Sequence, residues 1–385
     1  MGSVCAAMRL GEEILEAETG SISFEFRSRS DGNLFLLRGS DARSLEMRIV
    51  GSSLVYEAAV PSKWNKLEAE DIRSLDDGRW HSAVVTVDSA GTRLYVDGYQ
   101  AFCGTTTAFL KDLPGLTQAI LGQGDSPEIT AFRVRPEVLT SREVLALSRR
   151  VQPLVEFAAN RLSPYDVTRF CHARHGSVWL RFRVRGRMQQ GALLAASGLG
   201  REQLSVTVGP EGITYTCVSA TGERREVQAN GAWSDGDWHE VVVTVGHGAV
   251  DLYVDGFREK HAPGEFFLGE VEGLDEIVVG QDCDGVRLSG EVQRAGLYDY
   301  ALSDAQIKRL CEIEPIETDA LFDRGYRGSA SYRIPSLLTL TSGTILAGAD
   351  QRVSSANDSP NDINFVVRRS LDGGRSWEPA RTVID

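Results

Sequence analysis

The chain repeats itself. Asp77-Gly78-Arg79-Trp80-His81, the run Val84-Val85-Thr86-Val87 and Leu94-Tyr95-Val96-Asp97-Gly98 return as Asp235-Gly236-Asp237-Trp238-His239, Val242-Val243-Thr244-Val245 and Leu252-Tyr253-Val254-Asp255-Gly256. The whole pattern shifts by the same 158 residues, without a gap, and reaches as far as Gly122-Gln123 against Gly280-Gln281. A repeat of this length is larger than a solenoid unit and has the size of a domain. Whatever the first copy folds into, the second must fold into as well.

Each copy reads as β. Ile22, Phe24 and Phe26 alternate with polar residues, as do Val178, Leu180 and Phe182, the period of two that marks a half-buried strand. The Trp-His strand and the Leu-Tyr-Val strand are close enough to pair as a hairpin, with turns at Ser89-Ala90-Gly91 and Gly246-His247-Gly248. Asp97-Gly98 and Asp255-Gly256 are tight-turn dipeptides. Thr140 with Glu143 and Ser303 with Gln306 have the spacing of a capping box, so each copy is expected to close on one short helix. Many short strands between Gly-rich turns predict a two-sheet antiparallel sandwich for each copy. The boundaries are set at 1–150 and 155–312, with an acidic connector, Glu314 to Asp319, leading to a third region, 317–385. No low-complexity segment separates these parts, so they are expected to dock rather than to swing on tethers.

The 385 residues allow two or three domains, and 42% hydrophobic beside 25% charged is the balance of a soluble globular chain. A net charge of −13 argues against nucleic acid or an anionic membrane as a partner, and no apolar run is long enough to insert in a bilayer. The opening MGSVCAAMRLGEEILEAETG is too short and too acidic for a secretory signal. Cys5, Cys103, Cys171, Cys217, Cys283 and Cys311 are scattered, which excludes a Cys-x-x-Cys zinc site and predicts buried thiols. Trp80 and Trp238 are read as core aromatics that anchor the hairpin rather than as sugar platforms. His81 and His239 are read as turn-bonded rather than metal-ligating, and Asp97 and Asp255 as turn formers rather than calcium ligands, since calcium wants six to eight converging oxygens. No metal and no cofactor is expected, and the oligomeric state stays open.

The third region has a different chemistry. Arg333 stands in a rigid Arg-Ile-Pro context, Arg352 lies just past Asp350, and an acidic loop carries Asp358 and Asp362. A planar guanidinium matches a carboxylate with two parallel hydrogen bonds, which a lysine cannot do. The stretch closes on Ser370-Leu371-Asp372-Gly373-Gly374-Arg375-Ser376-Trp377.

That order of parts resembles the start of the catalytic propeller of bacterial exo-α-sialidases, and the closing octet looks like their Asp box, with Ser376 in place of Thr. The duplicated hairpin is similar to that of laminin-G-like, concanavalin-A-like modules. Together the resemblances imply an all-β chain of two tandem jelly-roll sandwiches followed by the first blade of an incomplete six-bladed β-propeller. They imply sialylated glycans as partners, secretion or a cell-surface location, and cleavage of terminal sialic acids. Carried over, Arg333 and Arg352 bind substrate and Asp358 is the general acid, preferred to Asp362 on spacing. Sialidases use a tyrosine nucleophile in place of a second carboxylate. A blade takes roughly 40–50 residues, so 317–385 holds about one, and the chain by itself is expected to be inactive. Its lone blade is expected to exchange its amides faster than the sandwiches do. The alternatives are a non-catalytic carbohydrate-binding or adhesion protein, and an intramolecular trans-sialidase.

Overall fold

The computed structural model describes residues 6–51, 53–61, 63, 65–69, 75–116, 118–123, 127–157, 160–184, 191–219, 221–358 and 360–385. In the first module the duplicated hairpin, His81–Val87 against Thr92–Val96, sits inside a five-stranded antiparallel sheet. Glu128–Arg135 and Gly20–Arg27 flank it on one side and Tyr99–Gly104 on the other. A six-stranded sheet runs in the order Ala6–Arg9, Gln118–Gln123, Gly32–Arg38, Ser44–Val50, Ser53–Ala59, Asn65–Ala69. Ile22, Phe24, Phe26, Val85 and Leu94 from one sheet share a core with Phe35, Leu45, Met47 and Tyr56 from the other.

His81–Val87 is buried along its whole length, although a sandwich strand should alternate. The outer face explains this. Val84 and Tyr95 are covered there by Val144 of the helix Ser141–Leu147. That helix starts on the expected capping box, with Thr140 and Glu143 satisfying each other's backbone.

The second module repeats the plan. Its hairpin, His239–Gly246 against Ala249–Val254, lies in a six-stranded sheet beside Gly176–Val184. A five-stranded sheet of Arg224–Asn230, Gly212–Val218, Arg201–Gly209, Gly191–Gly198 and Leu274–Val279 closes the core. The helix Asp304–Leu310, capped by Ser303 and Gln306, covers Trp179, Val242, Tyr253 and Tyr298 on the outer face.

After this module four strands, Ser331–Thr339, Ile345–Arg352, Ile363–Ser370 and Arg381–Ile384, form an antiparallel meander. Residues Met1–Arg149 and Glu314–Asp385 make one compact unit, and Arg150–Ile313 a second. The meander thus belongs to the unit of the first module, in keeping with the expectation that the parts dock. Its first strand is nevertheless exposed, with Leu337 at 70% and Leu338 at 57%.

A correction concerns Trp80 and Trp238. Both are half-buried at the surface and belong to neither core. Arg27 and Arg149 lie over the Trp80 ring at 5.1 and 5.3 Å, and Arg183 over the Trp238 ring at 4.7 Å. The buried tryptophan of the second module is Trp179, 1% exposed. Of the cysteines, Cys217 is buried and Cys103, Cys171, Cys283 and Cys311 are half-buried thiols; Cys5 lies outside the described residues.

Candidate functional site

The site is built by the two strands that begin the meander and the loop that follows them. Ile345–Arg352 is an inner strand, paired on both sides. Period-two alternation puts Asp350 and Arg352 on one face of it. Arg352 is 2% exposed. Its Nη2 donates to Asp350 Oδ2 at 3.3 Å and lies 3.0 Å from Asp358 Oδ1. Nη1 donates to the Asn357 carbonyl at 3.4 Å, and the buried Nε has no partner.

Arg333 lies opposite Asp350 on the edge strand. Its side chain is half exposed, and Nη1 donates to Asp358 Oδ1 at 3.2 Å. Just beyond it the strand bulges between Arg333 and Ser336, and Ile334 takes a φ of 54°. A β-branched residue in the left-handed region ahead of a proline is strained. This strained step sets Arg333 apart from the regular pleat that follows. Tyr332 anchors the other side, donating to the Tyr326 carbonyl at 2.9 Å and stacking on Phe322 at 5.3 Å. A groove of about 390 Å³ runs beside Arg333, floored by Phe322, Tyr332, Pro335 and Leu337.

The loop is held by a residue that the sequence did not single out. Asn361 donates to the carbonyls of Ser355 and Asn357 at 2.8 and 2.9 Å and accepts from Ser354 Oγ. Asp358 at the loop tip is 72% exposed in its side chain. Asp362 is exposed, and its backbone carbonyl accepts from Val353 N. The structure therefore brings Arg333, Arg352 and Asp358 to one point, with Asp350 as a fourth member, and leaves Asp362 outside the described contacts of the arginines. Two guanidiniums facing one carboxylate oxygen can receive a carboxylate ligand through charge-assisted bonds. No group of three or more potential metal ligands occurs among the described residues.

The closing loop is tied by its own side chains. Asp372 accepts from Ser376 N at 2.9 Å, from Ser376 Oγ at 2.6 Å and from Ser370 Oγ at 2.9 Å. These bonds, the Ser376 hydroxyl first, pull its carboxyl down to about 2. Trp377 Nε1 donates to the Gly374 carbonyl.

In both modules the hairpin histidine is bonded as the sequence predicted. His81 Nδ1 lies 2.9 Å from Asp97 and His239 Nδ1 2.8 Å from Asp255, while each aspartate also accepts the backbone N–H of the next strand residue, Ser82 or Glu240. Asp97 and Asp255 sit at φ of 48° and 50°, the turn geometry expected of them.

A fold of this kind, with two jelly-roll-like sandwiches, is that of laminin-G and concanavalin-A-like lectin modules. Residues 24–131 match the laminin G domain family, and residues 176–308 match the concanavalin A-like lectin/glucanases superfamily. The chain is also 30% identical over 115 residues to the anhydrosialidase of Macrobdella decora, covering 29% of this chain and 15% of that protein. It is 28% identical over 133 residues to sialidase B of Streptococcus pneumoniae, covering 33% of this chain and 19% of that protein. Among solved structures, a leech intramolecular trans-sialidase aligns at 17% identity with a TM-score of 0.36, over 60% of this chain and 38% of that one. The chain thus spans under a fifth of the length of the curated relatives it matches. The chain carries lectin-like modules, and over about a third of its length it is similar to sialidases.

Proposed function

We propose that this chain is part of an exo-α-sialidase that cleaves terminal sialic acids from glycoconjugates, with its lectin-like modules holding the enzyme on sialylated glycans. In this reading the meander is the first blade of a β-propeller and Ser370–Trp377 its Asp box. Arg333 and Arg352 receive the sugar carboxylate, and Asp350 keeps the buried Arg352 guanidinium aimed. Asp358, at the tip of the loop pinned by Asn361, passes a proton to the leaving oxygen. The enzyme would work outside the cell or at its surface, where such glycans lie. The observation that carries the reading is the meeting of both guanidiniums at Asp358 Oδ1, 3.2 and 3.0 Å away. The unpartnered buried Nε of Arg352 adds a donor that a ligand or a water would satisfy.

The test is a titration of the chain with N-acetylneuraminic acid, following the arginine Nε–H resonances by NMR. Saturable shifts that vanish in Arg333→Lys and Arg352→Lys are expected. Arg352→Ala should remove about 2–5 kcal/mol of binding. Shifts that survive both substitutions, or none at all, overturn the carboxylate site. The chain alone is expected to release no fluorophore from a sialoside, because sialidases use a tyrosine nucleophile and Arg333, Arg352 and Asp358 supply only the carboxylate clamp and the acid; release would refute that. The leech relative, named an anhydrosialidase, favours a second reading in which intramolecular transfer yields an anhydro-sugar. Product analysis separates the two.

A further inference from the structure

The connector that follows the second module is acidic, and the first module receives it. Arg93, 9% exposed, holds Asp319 at 2.5 Å and Asp88 at 2.8 Å. Thr105 N donates to Asp323 Oδ2 at 2.8 Å. Ser141 N donates to Glu317 Oε1 at 2.6 Å. Gln100 and Thr318 exchange bonds in both directions, Nε2 to the Thr318 carbonyl at 2.9 Å and Thr318 N to Oε1 at 3.0 Å.

The second module has the same hairpin in the same register. Arg93 pairs with Cys103 and Tyr95 with Gln100; Asp251 pairs with His261 and Tyr253 with Arg258. The register makes Asp251 the counterpart of Arg93, Arg258 that of Gln100 and Pro263 that of Thr105. The two capping boxes make Asp304 the counterpart of Ser141. At two of the four positions the second copy lacks the donor that the first module offers. Asp251 is fully buried and bound to His261, and it would repel Asp319. Pro263 has no N–H to give. Asp304 is itself paired with Lys308 at 2.7 Å. Like charges brought together, as Asp251 and Asp319 would be, are the usual means of excluding a wrong partner.

We propose that the edge of the first module formed by Thr92–Val96, Tyr99–Gly104, Thr105 and Ser141 is a dedicated receptor for the acidic segment Glu314–Asp323, and that the duplicate module is barred from that role by charge and by Pro263. The receptor fixes the start of the meander. Asp323 precedes Tyr326 and Tyr332, whose bonds orient the Arg333 strand. The docking is independent of what the site itself binds.

The test uses the full chain and amide hydrogen exchange read by mass spectrometry. Arg93→Asp, which copies the second module, should speed exchange over residues 317–325 by about ten-fold or more and leave the His81–Val87 amides unchanged. Thr105→Pro should do the same. The charge swap Arg93→Asp with Asp319→Arg should restore slow exchange. Unchanged exchange in both single variants overturns the proposal. So does general loosening of the first module that the swap fails to rescue, because Arg93 would then serve only Asp88.

Discussion

At the scale of single residues, the hairpin histidines show how a buried charge is made tolerable. Burial alone would lower the basicity of His81, but Asp97 and Asp77 outweigh it and carry the group up to about 10. A histidine raised in the folded state contributes its stability in full below its unfolded value of about 6.5. That contribution is lost as pH rises through the folded value. The first module should therefore weaken between about pH 6.5 and about 10, and His81→Asn should flatten that slope in urea titrations at several pH values. A slope that persists in the variant would assign it to other groups. His239, half-buried and also raised, chiefly by its bond to Asp255, should give a weaker slope of the same sign. Ile334 is the strained counterpart. Replacing it by glycine should remove about 1–2 kcal/mol of left-handed strain, offset by roughly 0.5–1 kcal/mol of glycine entropy. The meander should melt at the same temperature or slightly higher, and a clear fall would show that the Ile334 side chain has a contact that matters more than the strain.

At the scale of elements, the duplicated hairpin, the capped helices and the tight Asp-Gly turns were all legible, because each depends on residues near in sequence. The tryptophans misled for a definable reason. The strands begin at His81 and His239, so Trp80 and Trp238 fall outside the pleat and alternation says nothing of where they point. Trp179 sits inside Gly176–Val184 and is buried because a helix covers the outer face of its sheet, a tertiary fact. Trp179→Ala should cost about 3–5 kcal/mol, while Trp238→Ala should cost about 1 kcal/mol or less, both measured by chemical denaturation. Equal costs would return Trp238 to the core. In the candidate site the arginines and Asp358 were expectations of the sialidase resemblance, and the structure brings the three together. Arg352's burial was not legible, although Asp350 two residues earlier on the same face was the available signal. Asn361 gave none beyond being an asparagine in a loop.

At the scale of the whole molecule, the partners of the connector lie too far away in sequence for any local pattern to reveal them. Gln100 and Thr318 are 218 residues apart. With the connector docked, the inner strand Ile345–Arg352 should be protected like the sandwich strands, and only the exposed edge Ser331–Thr339 should exchange quickly. Uniformly fast exchange across 331–384 would contradict the shared unit.

The two acids on Arg93 also differ in when they exist. Asp88 is made five residues before Arg93, whereas Asp319 leaves the ribosome only after the whole of Arg150–Ile313. At roughly 5–20 residues per second, the stretch from Arg93 to Asp319 is a wait on the order of ten to forty-five seconds. Through that interval a guanidinium meant for burial has Asp88 as its early companion. The nascent first sandwich can thus close around a neutralised arginine and keep the second berth vacant for the carboxylate still to be synthesised.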